Sequence, residues 1–353
     1  MKKFSFRKID PSHLLVWACA ALAIAAVCAL SVKSRVIDSQ ADSDPQATSK
    51  GHAAVVRTAV PLTPVPSPTA APVLAAEENE TENVLLDQPF WSDGILFVNN
   101  TYRSPTTSVT LTVKADSELF GKQIVYYVAD IHVSDITLIR TACATGNFAN
   151  ARSGRVAKMA RRENALAAIS GDYCSARGAT LIIRNGEVYS KAIGKGDVCV
   201  LYRNGEMETI ANSQASLKKI LNQDPWQAWE FGPALLDSSG KPFRSYPNND
   251  VSGRHPRSCI GYYEPGHYCF VVVDGRQKKS RGVTLRELAL LMESLGCKQA
   301  FNLDGGNSAH FFWKDDILNQ PSGGGRSVAD IIYVAYESYP ESRFYCGKGG
   351  RSS

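Results

Sequence analysis

Residues 282–309 read GVTLRELALLMESLGCKQAFNLDGGNSA, and this stretch sets the architecture. Thr284 and Glu287 form a T-x-x-E capping box, in which each side chain satisfies a backbone N–H at a helix start. Leu285, Leu288, Met292 and Leu295 recur at helical spacing and mark one apolar face. Gly296 is a natural stop. The next run, KQAFNL, is short, apolar and strand-like. It delivers a carboxylate, Asp304, into Gly305 and Gly306, where bare backbone leaves room for a ligand to approach. The alternative for such an Asp-Gly step is a plain turn whose carboxylate caps local N–H groups.

Working outward, the same style recurs. SGDYC carries Ser170, Gly171 and Asp172 after the apolar run ending at Ile169. SGRHPRSCIGYY puts His255 and Arg257 at the start of a strand, and VVVDGR puts Asp274 and Arg276 at the end of one. GGGRSVAD puts Arg326 after three glycines. Polar groups therefore stand repeatedly where apolar runs end, the place where sites gather on a rigid scaffold. Strand-like runs dominate the rest: SVTLTVKA, QIVYYVADIHV, ITLIRTA and VADIIYVAY. Asn185-Gly186 and Asn204-Gly205 signal hairpins, because both residue types tolerate positive φ. Further helices are expected over 155–164 and 215–221. No dinucleotide fingerprint, P-loop or repeat occurs. The fold class expected is α+β, a mixed, β-rich sheet domain with a few helices, over residues 87–345.

The N-terminus has a different character. Lys2, Lys3, Arg7 and Lys8 lie in a basic tail, residues 1–13, ahead of an uncharged run from Leu14 to Val32. As a helix that run would be about 28 Å long, close to a bilayer core. The flanking charge predicts a cytoplasmic tail, a single membrane anchor over 14–32 and an exported remainder. A cleaved signal peptide is the competing reading. Residues 33–86 are rich in proline and threonine and poor in aromatics, which predicts an extended, disordered stalk. The location expected is therefore the cell membrane, single-pass, with the folded domain extracytoplasmic.

Composition sets bounds. The chain has 353 residues, 44% apolar and 21% charged, with a formal charge of +5. The basic residues are scattered rather than gathered into a stripe, so no nucleic-acid partner is expected. Nine cysteines are present, two of them in the anchor. None stands at zinc-binding spacing, and an exported location permits disulfides.

The ordered set SGDY, FGPALL, HPRSCIG, VVVDGR, GVTLRELALLMESLGCKQAFNLDGGNSA and GGGRSVADIIYV resembles the phosphodiester glycosidase family, from about Thr141 to Tyr336. Ser170-Gly171 stands where that family often has Asn-Gly, and Asn307 where it often has a third glycine or a serine. The resemblance implies hydrolysis of the glycosidic bond of a sugar-1-phosphodiester, releasing sugar and a phosphomonoester. It makes a carbohydrate phosphodiester the expected substrate. Asp304 is then the first candidate for base or nucleophile, with Asp274 second and Asp172 as a partner acid. Arg257, Arg276 and Arg326 are candidates for holding the phosphate. His255, Ser170, Gly171, Gly305, Gly306, Asn307 and Ser308 are candidates for substrate contact. A phosphomonoester has its second pKa near about 6 and leaves readily, so strong general-acid help is less necessary than for ordinary glycosides. No cofactor is required by this reading, and a calcium ion held by carboxylates and carbonyls stays open. A non-catalytic binder of envelope glycopolymers is the alternative from another class. A phosphodiesterase cutting the P–O bond is a third.

Overall fold

A computed structural model describes residues 89–174, 180–246, 253–337 and 344–346. The basic tail, the expected anchor at Leu14 to Val32 and the stalk lie outside the described residues. Within them, no helix is long and apolar enough to cross a membrane.

In chain order the strands are β1 (Ile95–Val98), β2 (Thr101–Arg103), β3 (Thr107–Asp116), β4 (Ile124–Val133), β5 (Ile139–Cys143), β6 (Ala165–Ser170), β7 (Leu181–Arg184), β8 (Glu187–Lys191) and β9 (Asp197–Tyr202). They continue with β10 (Met207–Ile210), β11 (Pro225–Phe231), β12 (Arg257–Glu264), β13 (His267–Val273), β14 (Gln299–Asn302), β15 (Phe311–Trp313), β16 (Asp316–Ile317), β17 (Asp330–Ala335) and β18 (Phe344–Cys346). The α-helices are α1 (Val156–Arg162), α2 (Leu217–Asn222) and α3 (Leu285–Ser294). The strands form an eight-stranded sheet, ordered β14-β12-β13-β4-β3-β2-β1-β18, and two five-stranded sheets, β10-β9-β11-β7-β8 and β16-β15-β6-β17-β5. Pairing is antiparallel throughout the large sheet except between β1 and β18.

The central core collects one face from each sheet. Phe270 and Val272 of β13 meet Trp229 of β11, Ile169 of β6, Phe311 of β15 and Ile332 of β17. The alternate residues of β13, Val271 and Val273, face the other way and pack under α3 against Leu288, Leu291 and Met292. Period-two alternation with both faces covered explains why this strand reads as an unbroken apolar run, HYCFVVV. The capping box of α3 forms as expected: Thr284 Oγ1 accepts from the Glu287 N–H, and Glu287 accepts from the Thr284 N–H. Each fully buried leucine on this helix contributes about 2 kcal/mol. Helix α1 closes the β16-β15-β6-β17-β5 sheet with Val156, Met159 and Ala160.

Local expectations are met in part, and both expected hairpins form. ITLIRTA does not begin as a strand; Asp135 accepts from the Thr137 N–H and turns Ile136–Leu138 into a 3-10 helix before β5 starts. Asn185-Gly186 has both residues at positive φ, as a tight hairpin requires. At Asn204-Gly205 only the glycine does, because Tyr202 pairs with Glu206 around a three-residue loop. Cys143, Cys174, Cys199, Cys259, Cys269 and Cys297 are buried free thiols.

The topology gathers one set of strand ends. In the antiparallel ladder Arg257 faces Val273, and Cys259 faces Asn302. The start of β12 thus lies beside the end of β13 and the end of β14. The end of β6 joins them, because the Asp304 N–H donates to Gly171 O at 2.9 Å.

Candidate active site

A cavity of about 950 Å³ opens at these strand ends. The carboxylate of Asp304 lies on its wall, only 5% exposed as a residue. Nη2 of Arg326 donates to both of its oxygens, at 3.1 and 3.2 Å. The Arg326 side chain is itself held: its Nε donates to Ser308 Oγ at 2.5 Å, and its guanidinium lies 5.2 Å from the centre of the Tyr173 ring. Tyr173 and Arg276 both sit at positive φ, 68° and 61°. That region is costly for bulky residues and is found mostly where function needs it.

Arg257 and Arg276 form the cationic wall. Arg257 is 4% exposed, with Nε donating to Val283 O at 3.1 Å and Nη2 to Gly253 O at 2.8 Å. Burial, and then the charge of Arg276, push its pKa down to about 10. The site therefore strains against the positive charge it concentrates, and an anion would relieve that. Arg276 donates through Nη1 to Asn307 Oδ1 at 2.8 Å and through Nη2 to His255 Nδ1 at 3.0 Å. An arginine only donates, so Nδ1 of His255 accepts, and the neutral ring carries its proton on Nε2.

The two glycines serve close approach. A Cβ on Gly305 would come within 2.7 Å of Pro256 O, and the Gly306 N–H donates to that same carbonyl at 2.8 Å. Asp304, Arg257, Arg276, Arg326, His255, Gly305, Gly306 and Asn307 thus line one hollow.

Five other candidates do not line it. Asp172 is fully buried; Oδ1 accepts from Arg184 Nη2 at 2.8 Å and Oδ2 from the Glu230 N–H at 2.9 Å. Arg184 also pairs with Asp330, 3.3 Å away. Burial and the neighbouring Asp172 push the Asp330 carboxyl up to about 7 despite that guanidinium. Asp172 is thereby part of a buried ionic cluster rather than an acid facing substrate. Asp274, 3% exposed, accepts from Asn319 Nδ2 at 3.0 Å, from the Gln320 N–H at 3.3 Å and from Tyr127 Oη at 3.3 Å. Burial raises its pKa, and its place is a lock between β13 and the loop at 319–320. Ser170 donates to Asp304 O at 2.8 Å and shares a hydrogen bond with Ser258 at 2.9 Å. Gly171 leaves space that the Asp330 carboxylate fills, 2.3 Å from where a Cβ would lie. Ser308 is buried against Arg326. The last three thus position Asp304 and Arg326 rather than meet a ligand.

The cavity also contains groups that the sequence reading missed. Glu230 accepts from the N–H groups of Leu181, Gly194 and Gly196 at 3.0, 2.9 and 3.1 Å, shaping the loop that carries Lys195. Asp197 accepts from the N–H groups of Asn212 and Ala234. The signal for Glu230 was a charge embedded in an apolar strand, PWQAWEF. Two buried atoms on the wall, Thr180 Oγ1 and Asn302 Oδ1, make no hydrogen bond. A buried orphan of this kind costs about 1–3 kcal/mol unless a ligand or water satisfies it.

The family model for phosphodiester glycosidases matches residues 163–335. A protein of Bacillus subtilis strain 168, the SPbeta prophage-derived uncharacterized protein YomE, is 28% identical over 213 residues, which is 58% of this chain and 33% of YomE. The chain therefore spans about a third of the length of this curated relative. The fold is similar to that of the zebrafish N-acetylglucosamine-1-phosphodiester alpha-N-acetylglucosaminidase catalytic domain auto-inhibited by its pro-peptide. That match has a TM-score of 0.54 at 18% identity and covers 69% of this chain and 88% of that one.

Proposed function

Because residues 163–335 match the family model for phosphodiester glycosidases, we propose that the protein hydrolyses the glycosidic bond of a sugar-1-phosphodiester. The observation that carries this reading is an acid and a crowded cationic wall lining one cavity. Asp304, paired with Arg326, lines the same hollow as Arg257 and Arg276, whose charges favour a phosphate there. Water adds to the anomeric carbon while the bond from that carbon to the phosphate oxygen breaks, and the phosphomonoester departs with the electron pair. Asp304 takes the proton from water, or attacks first and is released by water afterwards. Arg257 and Arg276 stabilise the departing phosphate through charge-assisted hydrogen bonds.

The setting is part of the same proposal. The apolar run from Leu14 to Val32 behind a basic tail supports a retained anchor, and the proline-rich stretch after it supports a spacer. The domain then acts outside a bacterial membrane on an envelope or capsule phosphodiester. Incubating the full-length protein with an alkyl ester of N-acetylglucosamine 1-phosphate tests the chemistry. Free sugar and alkyl phosphate are expected. Sugar 1-phosphate as product would mean cleavage at phosphorus, and retention of intact ester would mean a binder.

A further inference from the structure

Far from the cavity, β4 and β13 bring two histidines and an aspartate together. The register pairs His267 with His132 and Cys269 with Asp130, so His267 lies diagonally across from Asp130. Nε2 of His267 is 2.7 Å from Asp130 Oδ1, and Nε2 of His132 is 3.6 Å from Asp130 Oδ2. The two imidazoles stack with centroids 3.9 Å apart and planes 19° apart. Tyr263, on the neighbouring strand β12, stacks on His267 with centroids 4.1 Å apart. Both rings therefore bring Nε2 to the Asp130 carboxylate, one to each oxygen. One donor atom from each of the three residues lies within 4.8 Å of the other two.

From this arrangement we infer a binding site for one divalent transition-metal ion of the zinc class, formed by Asp130, His132 Nε2 and His267 Nε2. Two imidazoles and a carboxylate suit that class better than calcium or magnesium, which take oxygen ligands. Zinc–nitrogen and zinc–oxygen bonds of about 2.0–2.2 Å need donors a little over 3 Å apart, which small side-chain rotations supply here. The side chains of Asp130, His132 and His267 are 39%, 33% and 24% exposed, so an ion can enter and keep a water in its fourth position.

The role that follows is a clamp. His267 opens β13 and Asp274 follows its end, a separation of about 23 Å at the rise of a strand. The ion would tie β13 to β4 without reaching the reaction. Binding to the folded state alone stabilises it by mass action.

Calorimetric titration of the full-length protein with zinc sulfate tests this. One equivalent should bind, raising Tm while leaving sugar release unchanged. The double variant His132→Gln/His267→Gln, checked for folding by circular dichroism, should lose that equivalent and the Tm response. Uptake equal in both proteins, or none in either, overturns the site. Should the variant not fold, copper(II) added to the wild-type protein gives a second reading by electron paramagnetic resonance. Coupling to two imidazole nitrogens is expected, and a spectrum without nitrogen coupling contradicts the assignment.

Discussion

One guanidinium nitrogen, Nη2 of Arg326, is shared between the two carboxylate oxygens of Asp304 at 3.1 and 3.2 Å. That pairing gives a nearly buried carboxyl a charged partner and fixes its aim. Asp304→Asn should retain the fold, because one oxygen still accepts from Arg326, and should lower the rate of sugar release by about 10²–10⁴-fold. Circular dichroism and initial rates on the same preparation check both halves. Turnover within a few-fold of wild type would remove Asp304 from the chemistry.

Arg257 predicts a split between substrate classes. Arg257→Ala should slow hydrolysis of a sugar-1-phosphodiester by about 10²–10³-fold, the usual loss for one donor at a developing negative charge. Aryl glycosides with no phosphate should be affected far less. The substitution also leaves Val283 O and Gly253 O without these donors, so Tm will fall and any loss of folded enzyme will lower both rates alike. The ratio of kcat/KM values, rather than either value alone, is the readout.

Gly305→Ala tests the role of bare backbone. Its Cβ would sit 2.7 Å from Pro256 O, a main-chain atom at the start of β12 that cannot swing aside. A loss of about 1–3 kcal/mol is expected from chemical denaturation, as for other overpacked sites, together with loss of activity. Gly253→Ala is the control. Among the described residues its added methyl meets only His255 Nε2 at 3.6 Å, an ordinary contact, and should cost little.

The buried Asp172–Arg184–Asp330 cluster predicts a pH dependence of stability. Asp330 holds its proton up to about 7 in the folded chain, against 3.8 for the free side chain. Between those values the folded state binds more protons than the unfolded state, so stability falls as pH rises through the window. Above about 7 its contribution is constant. Asp330→Asn should flatten the slope between pH 4 and 7. Urea midpoints measured across that range read it directly, and an unchanged slope would assign the dependence to other groups.

The sequence made α3 and its capping box legible because helix signals are local: the cap, the periodic leucines and the terminal glycine lie within fourteen residues. It also pointed to Asp304, Arg257, Arg276 and Arg326, because each stands at one end of an apolar run or directly after glycines. It could not rank the acids. Asp172 and Asp274 share the style of Asp304, but their fates depend on distant partners: Arg184 in one case, Asn319 and the Gln320 N–H in the other. Glu230 was passed over for the opposite reason, since nothing local shows that three N–H groups from another stretch converge on it. Ser170 and Ser308 look like ligand contacts in one dimension. In three, they hydrogen-bond the residues that line the cavity.

The central claim is that water attacks the sugar carbon and not the phosphorus. Hydrolysis of a sugar-1-phosphodiester in water enriched in heavy oxygen, followed by mass spectrometry of both products, tests it most directly. The account predicts label in the released sugar and none in the phosphomonoester. Label in a phosphate product, with the anomeric oxygen unlabelled, would contradict it.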